Sequence, residues 1–429
     1  MPRVVKKRRW LLGAAGVLVA LGGLFAFASV DRCGEWKPRA PALLQVAVAQ
    51  GPLLVGAAKV PLTLSFPTTV GGYPPPRASV DKALSAFAAR ALVIDLGAQR
   101  LRLVVLDVLL IPPQLRDAIA ANRAGPIWVA ATHTHSGPSG FDPRAASEVA
   151  ALGSYDPAAF QRLVEAAQKA LDLAEASLAP AQLEVGESQS NALSTPRSGD
   201  ASDTRITRAR FDAATGPLAQ LVVLAGHPTL TPRRPDGLHA DWPGLLAERF
   251  EANGGPVTLV LQGAGGNAMI DRAIATTAEV AAEKAQALID DVPTERQAEP
   301  LSGAWNEVRI SLSRPQAPGA VPSVLRPLAE NLLCDDAEDI VLLHGLRLGA
   351  LEWLFVPVEP TLNAGLVLEE QARVQRVVGL SDGYAGYVEL EQVARAGGGE
   401  AQRQYFPPTF LSQLSEGARL AGQALDAPR

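Results

Sequence analysis

Cysteine is nearly absent from this sequence, whose 429 residues include only Cys33 and Cys334. Neither stands beside other cysteines at metal-binding or redox spacing, which excludes cysteine-based metal centres and thiol-exchange motifs. A bridge between the two is allowed in an oxidising compartment, but sequence alone does not bring them together. Internal repeats, heptads and low-complexity tracts are also missing, so solenoid and coiled-coil architectures are excluded. Positive charge is scarce beyond the first nine residues. Of 39 Lys and Arg, five are Arg3, Lys6, Lys7, Arg8 and Arg9, and the remaining 34 face 44 Asp and Glu. That balance argues against a nucleic-acid surface.

What is present begins with those five basic residues, followed by WLLGAAGVLVALGGLFAFASV, 21 uncharged residues from Trp10 to Val30. At about 1.5 Å per helical residue such a run spans a bilayer core. It reads as a retained signal anchor with its basic end in the cytoplasm, or as a signal peptide cleaved after Ala26-Phe27-Ala28. The run exceeds the usual ~7–15-residue apolar segment of a cleaved signal, which favours the anchor. Arg32 is wrong for a lipoprotein signal at Cys33. In both readings the body of the protein is extracytoplasmic, periplasmic or extracellular, and the membrane is a partner through the N-terminal helix.

The expected organisation is a transmembrane segment over residues 1–30, a linker over 31–50 and one large domain over 51–429. Its class is α/β, a mixed β-sheet core flanked by helices. Residues 91–96 and 101–110 flank the short turn GAQR and predict a hairpin. Further strands are expected at 127–131, 219–226, 257–263 and 340–357. Asp156 and Pro157 open a helix whose apolar face carries Phe160, Leu163, Val164, Ala167, Ala170 and Leu171. A capping box from Thr276 to Glu279 starts another helix, running to about residue 290. Helices are also expected near 363–377 and 409–425, and residues 314–327 read as a long loop.

Chemistry gathers where strands run into Gly/Pro-rich loops, the usual ligand-binding edge of an α/β fold. Five such junctions occur: ATHTHSGP, AGHPT followed by HADWPG, LQGAGGN, VPVEPT and SDGYAGY. Four of the five histidines fall in the first two. A strand's period of two points His133 and His135 to one side. With His227 and Glu359 at similar junctions, a metal site is favoured over scattered structural histidines. His344 reads as an ordinary strand histidine, and His239 as a loop residue or a supporting neighbour of the site.

Together the five junctions, with VGAAKVPLT at 55–63, FAARALVIDLG at 87–97 and QRQYF at 402–406, resemble the neutral ceramidase family. THTHSGP carries the resemblance most specifically. The family consists of zinc amidohydrolases that cleave the amide of N-acylsphingosine to a fatty acid and sphingosine. The resemblance implies a ceramidase-like catalytic domain over residues 51–429, with Zn²⁺ as cofactor and a lipid or other amide as substrate. By motif, the zinc ligands fall on His133, His227, Glu359 and Tyr387. His135 becomes the catalytic neighbour facing the substrate, and Asn267 falls on the family's catalytic-loop Asp.

Three departures qualify what the resemblance implies. Met269 stands where the family carries a serine proposed to act at the site, so a serine acyl-enzyme is unavailable there. A water attack at zinc needs no such nucleophile. The family's C-terminal immunoglobulin-like domain has no counterpart before Arg429, and Arg197 matches a substrate-contacting arginine only loosely. Beside the amidohydrolase stand two alternatives, a non-catalytic metal- or lipid-binding relative and an amidase or esterase for another exported substrate. Oligomeric state is not legible.

Overall fold

A computed structural model describes residues 30–426 except 32, 35, 76, 200 and 337–339, together with Gly22, Gly23 and Ala26. The expected transmembrane run therefore lies almost wholly outside the described residues. Among those described, no helix is long and apolar enough to cross a membrane.

Three five-stranded mixed sheets form the body. The first runs, in spatial order, Ile127–Ala131, Arg100–Leu106, Ala88–Asp95, Leu54–Pro61 and Ala179–Pro180. The second runs Val257–Gln262, Gly216–Leu224, Arg205–Ala213, Gln182–Gln189 and Glu295–Arg296. The third runs Ala42–Gly51, Leu301–Ser311, Ile340–Leu348, Leu351–Phe355 and Arg376–Val378. Their inner strands are rich in Val, Leu, Ile and Trp because both faces are covered, whereas the edge strand Ala42–Gly51 is largely exposed. Inner faces meet in a shared core that includes Val55, Leu92, Phe211, Leu221, Leu259, Trp305 and Trp353. Outer faces are sealed by helices, Pro157–Ala176 on the first sheet, Asp241–Glu251 and Ala278–Asp290 on the second, Leu362–Ala372 and Phe410–Leu425 on the third.

Each sheet ends in a parallel pair: Arg100–Leu106 with Ile127–Ala131, Gly216–Leu224 with Val257–Gln262, and Leu351–Phe355 with Arg376–Val378. The carboxyl ends of these pairs converge. Ala131 N donates to Leu380 O, Gly263 N to Leu224 O and Gly379 N to Gln262 O, so the three edges share one loop cluster. Ligands of open α/β sheets bind at such carboxyl ends.

Most expected elements stand where the pattern placed them, including the hairpin, which pairs Asp95 with Arg100. Three details differ, and one question the sequence left open is answered. The helix cap is Thr277, accepting from Val280 N, and not Thr276; Val280 then stands where the box needs Glu or Gln, so the expected capping box does not form. The helix expected to reach residue 377 stops at Ala372, where Arg373 turns left-handed and frees Arg376–Val378 to join the third sheet. The long loop gives way at Arg326 to a helix, Arg326–Asp336, that the sequence reading did not anticipate. Finally, Cys33 and Cys334 meet in a disulfide.

Candidate metal centre

His133 and His135 do share a site, but strand alternation is not the reason. The strand ends at Ala131, and His133 adopts a positive φ of 72°. That conformation is uncommon for a residue with a Cβ and is typically kept at functional sites. It is fixed by two backbone bonds, Thr132 N to Leu106 O and His133 N to Val108 O. The result brings Nε2 of His133 to 3.3 Å from Nε2 of His135.

Backbone carbonyls set all three imidazole tautomers. A carbonyl only accepts, so each facing Nδ1 must carry the proton. His133 Nδ1–H donates to Leu109 O at 2.8 Å, and His135 Nδ1–H to Gly72 O at 2.9 Å. His227 Nδ1–H is shared between Gly265 O at 3.0 Å and Ala268 O at 3.1 Å. Each neutral ring thus presents a bare Nε2 lone pair to the shared space. Orienting bonds of this kind are what a metal-ligating histidine requires.

Glu359 completes the arrangement from the third sheet's junction, where its short strand Glu359–Pro360 pairs with Tyr387–Val388. Its Oε2 lies 2.9 Å from His227 Nε2 and 3.2 Å from His133 Nε2, yet is buried without a hydrogen-bond donor. Ligand atoms around a tetrahedral ion with bonds of about 2.0–2.1 Å stand roughly 3.3–3.5 Å apart, close to these separations. Tyr387 OH lies 2.8 Å from His227 Nε2. Three imidazole lone pairs and a carboxylate oxygen facing one another repel unless a cation or a proton lies between them. The donor set is nitrogen and oxygen without sulfur, which suits a divalent ion such as zinc.

Electrostatics follow from this crowding. Burial pushes the Glu359 carboxyl up, but His133 and His227 outweigh it and hold it well below the usual range. His133 is desolvated yet lifted by Glu359, so it is the ring that takes a proton when no metal is bound. Burial and the neighbouring imidazoles keep His135 well below an ordinary histidine, and burial lowers His227 also. Tyr384 and Tyr387 are both pushed well up, by burial first and the Glu359 charge second.

The structure therefore gathers His133, His135, His227, Glu359 and Tyr387, and a metal-compatible group is formed by the three histidines as well. Asn267 does not join them. Its Nδ2 donates to Ser198 O and Ala201 O, both at 2.8 Å, and its Oδ1 accepts from Leu362 N. With both amide protons and one oxygen lone pair engaged by backbone, Asn267 holds the Gly-rich loop. Met269 lies in the short strand Ala268–Ile270 and bridges to His227, so it supports the histidine's loop. His344 is buried against Asp382, Nε2 to Oδ2 at 2.6 Å, and stacks on Trp128. His239 accepts from Asp241 N and lies 3.4 Å from Glu279, away from the cluster.

One participant was not singled out from the sequence, and a second was given only a loose match there. Tyr384, the first tyrosine of SDGYAGY, donates its hydroxyl to Glu359 Oε1 at 2.6 Å. Arg197, matched only loosely, lies over the Tyr387 ring at 5.5 Å, donates to Gly266 O and forms a bidentate pair with Glu400. Neither contact is encoded in local spacing.

Residues 70–225 match the family described as neutral/alkaline non-lysosomal ceramidase, N-terminal. That stretch includes His133 and His135 and ends just short of His227. No curated protein sequence matches the chain. Among solved structures, a ceramidase complexed with C2 superposes with a TM-score of 0.74 at 18% identity, over 87% of this chain and 75% of that one. The neutral ceramidase from Pseudomonas aeruginosa gives a TM-score of 0.72 at 19% identity over the same shares. Residues 70–225 thus match the neutral/alkaline non-lysosomal ceramidase N-terminal family in sequence, and the chain shares the ceramidase fold over most of its length.

Proposed function

We propose that this protein is a zinc-dependent amidohydrolase that cleaves the N-acyl bond of a ceramide-like lipid to a fatty acid and an amine. The observation that carries the reading is the acceptor-only cluster of His133, His227 and Glu359, whose Oε2 is buried with no donor. His133, His227, Glu359 and Tyr387 would hold the ion. Bound zinc supplies a Lewis acid and a water whose pKa falls to about 7.

The chain's own residues account for the rest. Leu109, Gly265 and Ala268 carbonyls orient the ligand imidazoles, and Tyr384 fixes the Glu359 carboxylate from behind. Half-buried and neutral, His135 offers Nε2 as the proton acceptor beside the reacting carbonyl and returns the proton to the leaving amine. Arg197 over Tyr387 favours a phenolate at that oxygen, offsetting part of the burial that opposes it. Met269 replaces the family's serine, which fits attack by water and leaves the amine half of the substrate open.

A membrane-anchored, extracytoplasmic location belongs to the same proposal. Support comes from the apolar run Trp10–Val30 and from the Cys33–Cys334 bridge, which persists in oxidising compartments. The test is turnover of a fluorescent short-chain ceramide by purified protein supplied with zinc. Release of fatty acid supports ceramidase; cleavage of other acyl amides with ceramide untouched removes ceramide and keeps the amidohydrolase.

A further inference from the structure

An apolar cavity of about 250 Å³ lies beside the metal centre, and Tyr384 forms part of its wall while donating to Glu359. Its other walls include Val149, Val321, Ala329, Leu332 and Leu333. Three of these side chains come from the unanticipated helix Arg326–Asp336. That helix is apolar on more than the cavity side. Leu328, with Val324 and Leu325 just before the helix, is exposed, at 42%, 64% and 43% respectively, and Val149 on the opposite rim is 56% exposed. A surface helix ordinarily keeps one apolar face and one polar face.

The segment carrying this rim is bound to the stretch that follows the N-terminal apolar run. Asn331 Nδ2 donates to Val30 O at 2.7 Å, and Arg314 makes a bidentate pair with Asp31. Cys334 bridges to Cys33, and Trp36 Nε1 donates to Leu312 O. Four links within residues 30–36 therefore fasten the last residue of a bilayer-length run to the mouth of the cavity. Wherever that run meets a membrane, these exposed apolar side chains meet it too.

We propose that the rim formed by Val149, Val324, Leu325 and Leu328 docks on a lipid bilayer, and that the cavity behind it receives a hydrocarbon chain drawn from that bilayer toward Tyr384 and the metal centre. The proposal rests on the amidohydrolase reading for the use made of the chain, and on the geometry alone for the docking. Around this rim Glu148 and Glu330 stand against Arg326, Arg77, which donates to Val149 O, and Arg144 in the cavity wall, a mixed charge that fits a zwitterionic phosphatidylcholine surface. Burial of each methylene contributes about fourfold in affinity, so chain length should matter.

The test places full-length protein in phosphatidylcholine vesicles with an environment-sensitive dye on Val324→Cys or Leu328→Cys, and on Glu283→Cys of the helix Ala278–Asp290 as control. Brominated lipid tails should quench the first two and not the third. Absence of quenching at both rim positions, or protection that appears in detergent and rises with protein concentration, as a second copy would give, overturns the docking. In parallel, Val324→Asp/Leu325→Asp/Leu328→Asp should lose at least tenfold in turnover of a long-chain N-acyl lipid in vesicles, with a soluble short-chain amide unaffected. Ala329→Trp should shorten the preferred chain, and an unchanged chain-length profile overturns the cavity's role. Wild-type protein that cleaves neither substrate but shows the rim quenching would sink the hydrolase reading and leave the docking standing.

Discussion

Nε2 of His227 lies 2.9 Å from Oε2 of Glu359, and neither atom has a proton to share while the Nδ1–H of the ring is held by Gly265 and Ala268. Two acceptors at that distance are stable only around a cation or a proton. Everything proposed about the chemistry follows from this pair and its neighbours.

Tyr384 orients Glu359 without touching the space among the imidazoles. Replacing it with phenylalanine removes the 2.6 Å bond to Oε1 and should cost about 10–100-fold in zinc affinity, in line with other supporting partners of metal ligands. Calorimetric titration of zinc into the metal-free protein reads the change directly, and circular dichroism should show an intact fold. Unaltered affinity would mean that the hydroxyl does not position the carboxylate.

His135 and His133 should separate by readout. His133→Ala should lose both metal and turnover, whereas His135→Ala should retain zinc and lose about 10²–10⁴ in turnover as a missing proton carrier. Zinc lost equally from both variants would make His135 a ligand, the alternative geometry that the three clustered histidines allow.

Acid should weaken zinc's stabilisation of the fold. In the metal-free protein His133 binds its proton more tightly than a free imidazole because Glu359 faces it, once burial is overcome. That His133–Glu359 stabilisation is fully present below the ordinary histidine pKa of about 6.5 and is lost as pH rises through the raised value. Zinc needs the deprotonated ring, so the difference in Tm between zinc-bound and metal-free protein should shrink as pH falls through that raised value, starting above the ordinary histidine pKa of about 6.5. A difference that stays constant from pH 8 to pH 5 would contradict proton competition at this site.

Breaking the buried Arg90 link should destabilise the fold without altering the ligands. Arg90 bridges Asp107 at 2.8 Å and Glu251 at 2.6 Å, and Asp107 also accepts from Ala88 N at the start of the loop that holds His133. Arg90→Ala leaves the buried Asp107 carboxylate without its cation, while Glu251 keeps Lys59, and should cost about 3–5 kcal/mol. Urea denaturation measures it, and a loss under 1 kcal/mol would show that water or rearrangement satisfies the acids.

Sheets and junctions were legible because their signals are local. Apolar runs such as residues 101–106 and 257–262 end in glycine- and proline-rich loops, and the carboxyl ends of parallel strands gather ligands on physical grounds. His133 and His135 were found together, yet the backbone reason was not legible, since a positive φ at a histidine comes from tertiary bonds to the 106–109 loop. Asn267 misled because motif position says nothing of where its amide points, and here the backbone of residues 198, 201 and 362 takes both its protons and one oxygen lone pair. Tyr384, Arg197 and the Cys33–Cys334 bridge join segments far apart in sequence, and no local pattern encodes them. The helix Arg326–Asp336 was hidden by the proline-rich stretch before it.

Metal content of the purified protein tests the central claim most directly. Mass-spectrometric analysis should find one zinc per chain, removed by chelation together with amide hydrolysis and restored with it, and absent from His227→Ala. Full amide turnover by a chain that holds no metal would contradict the account.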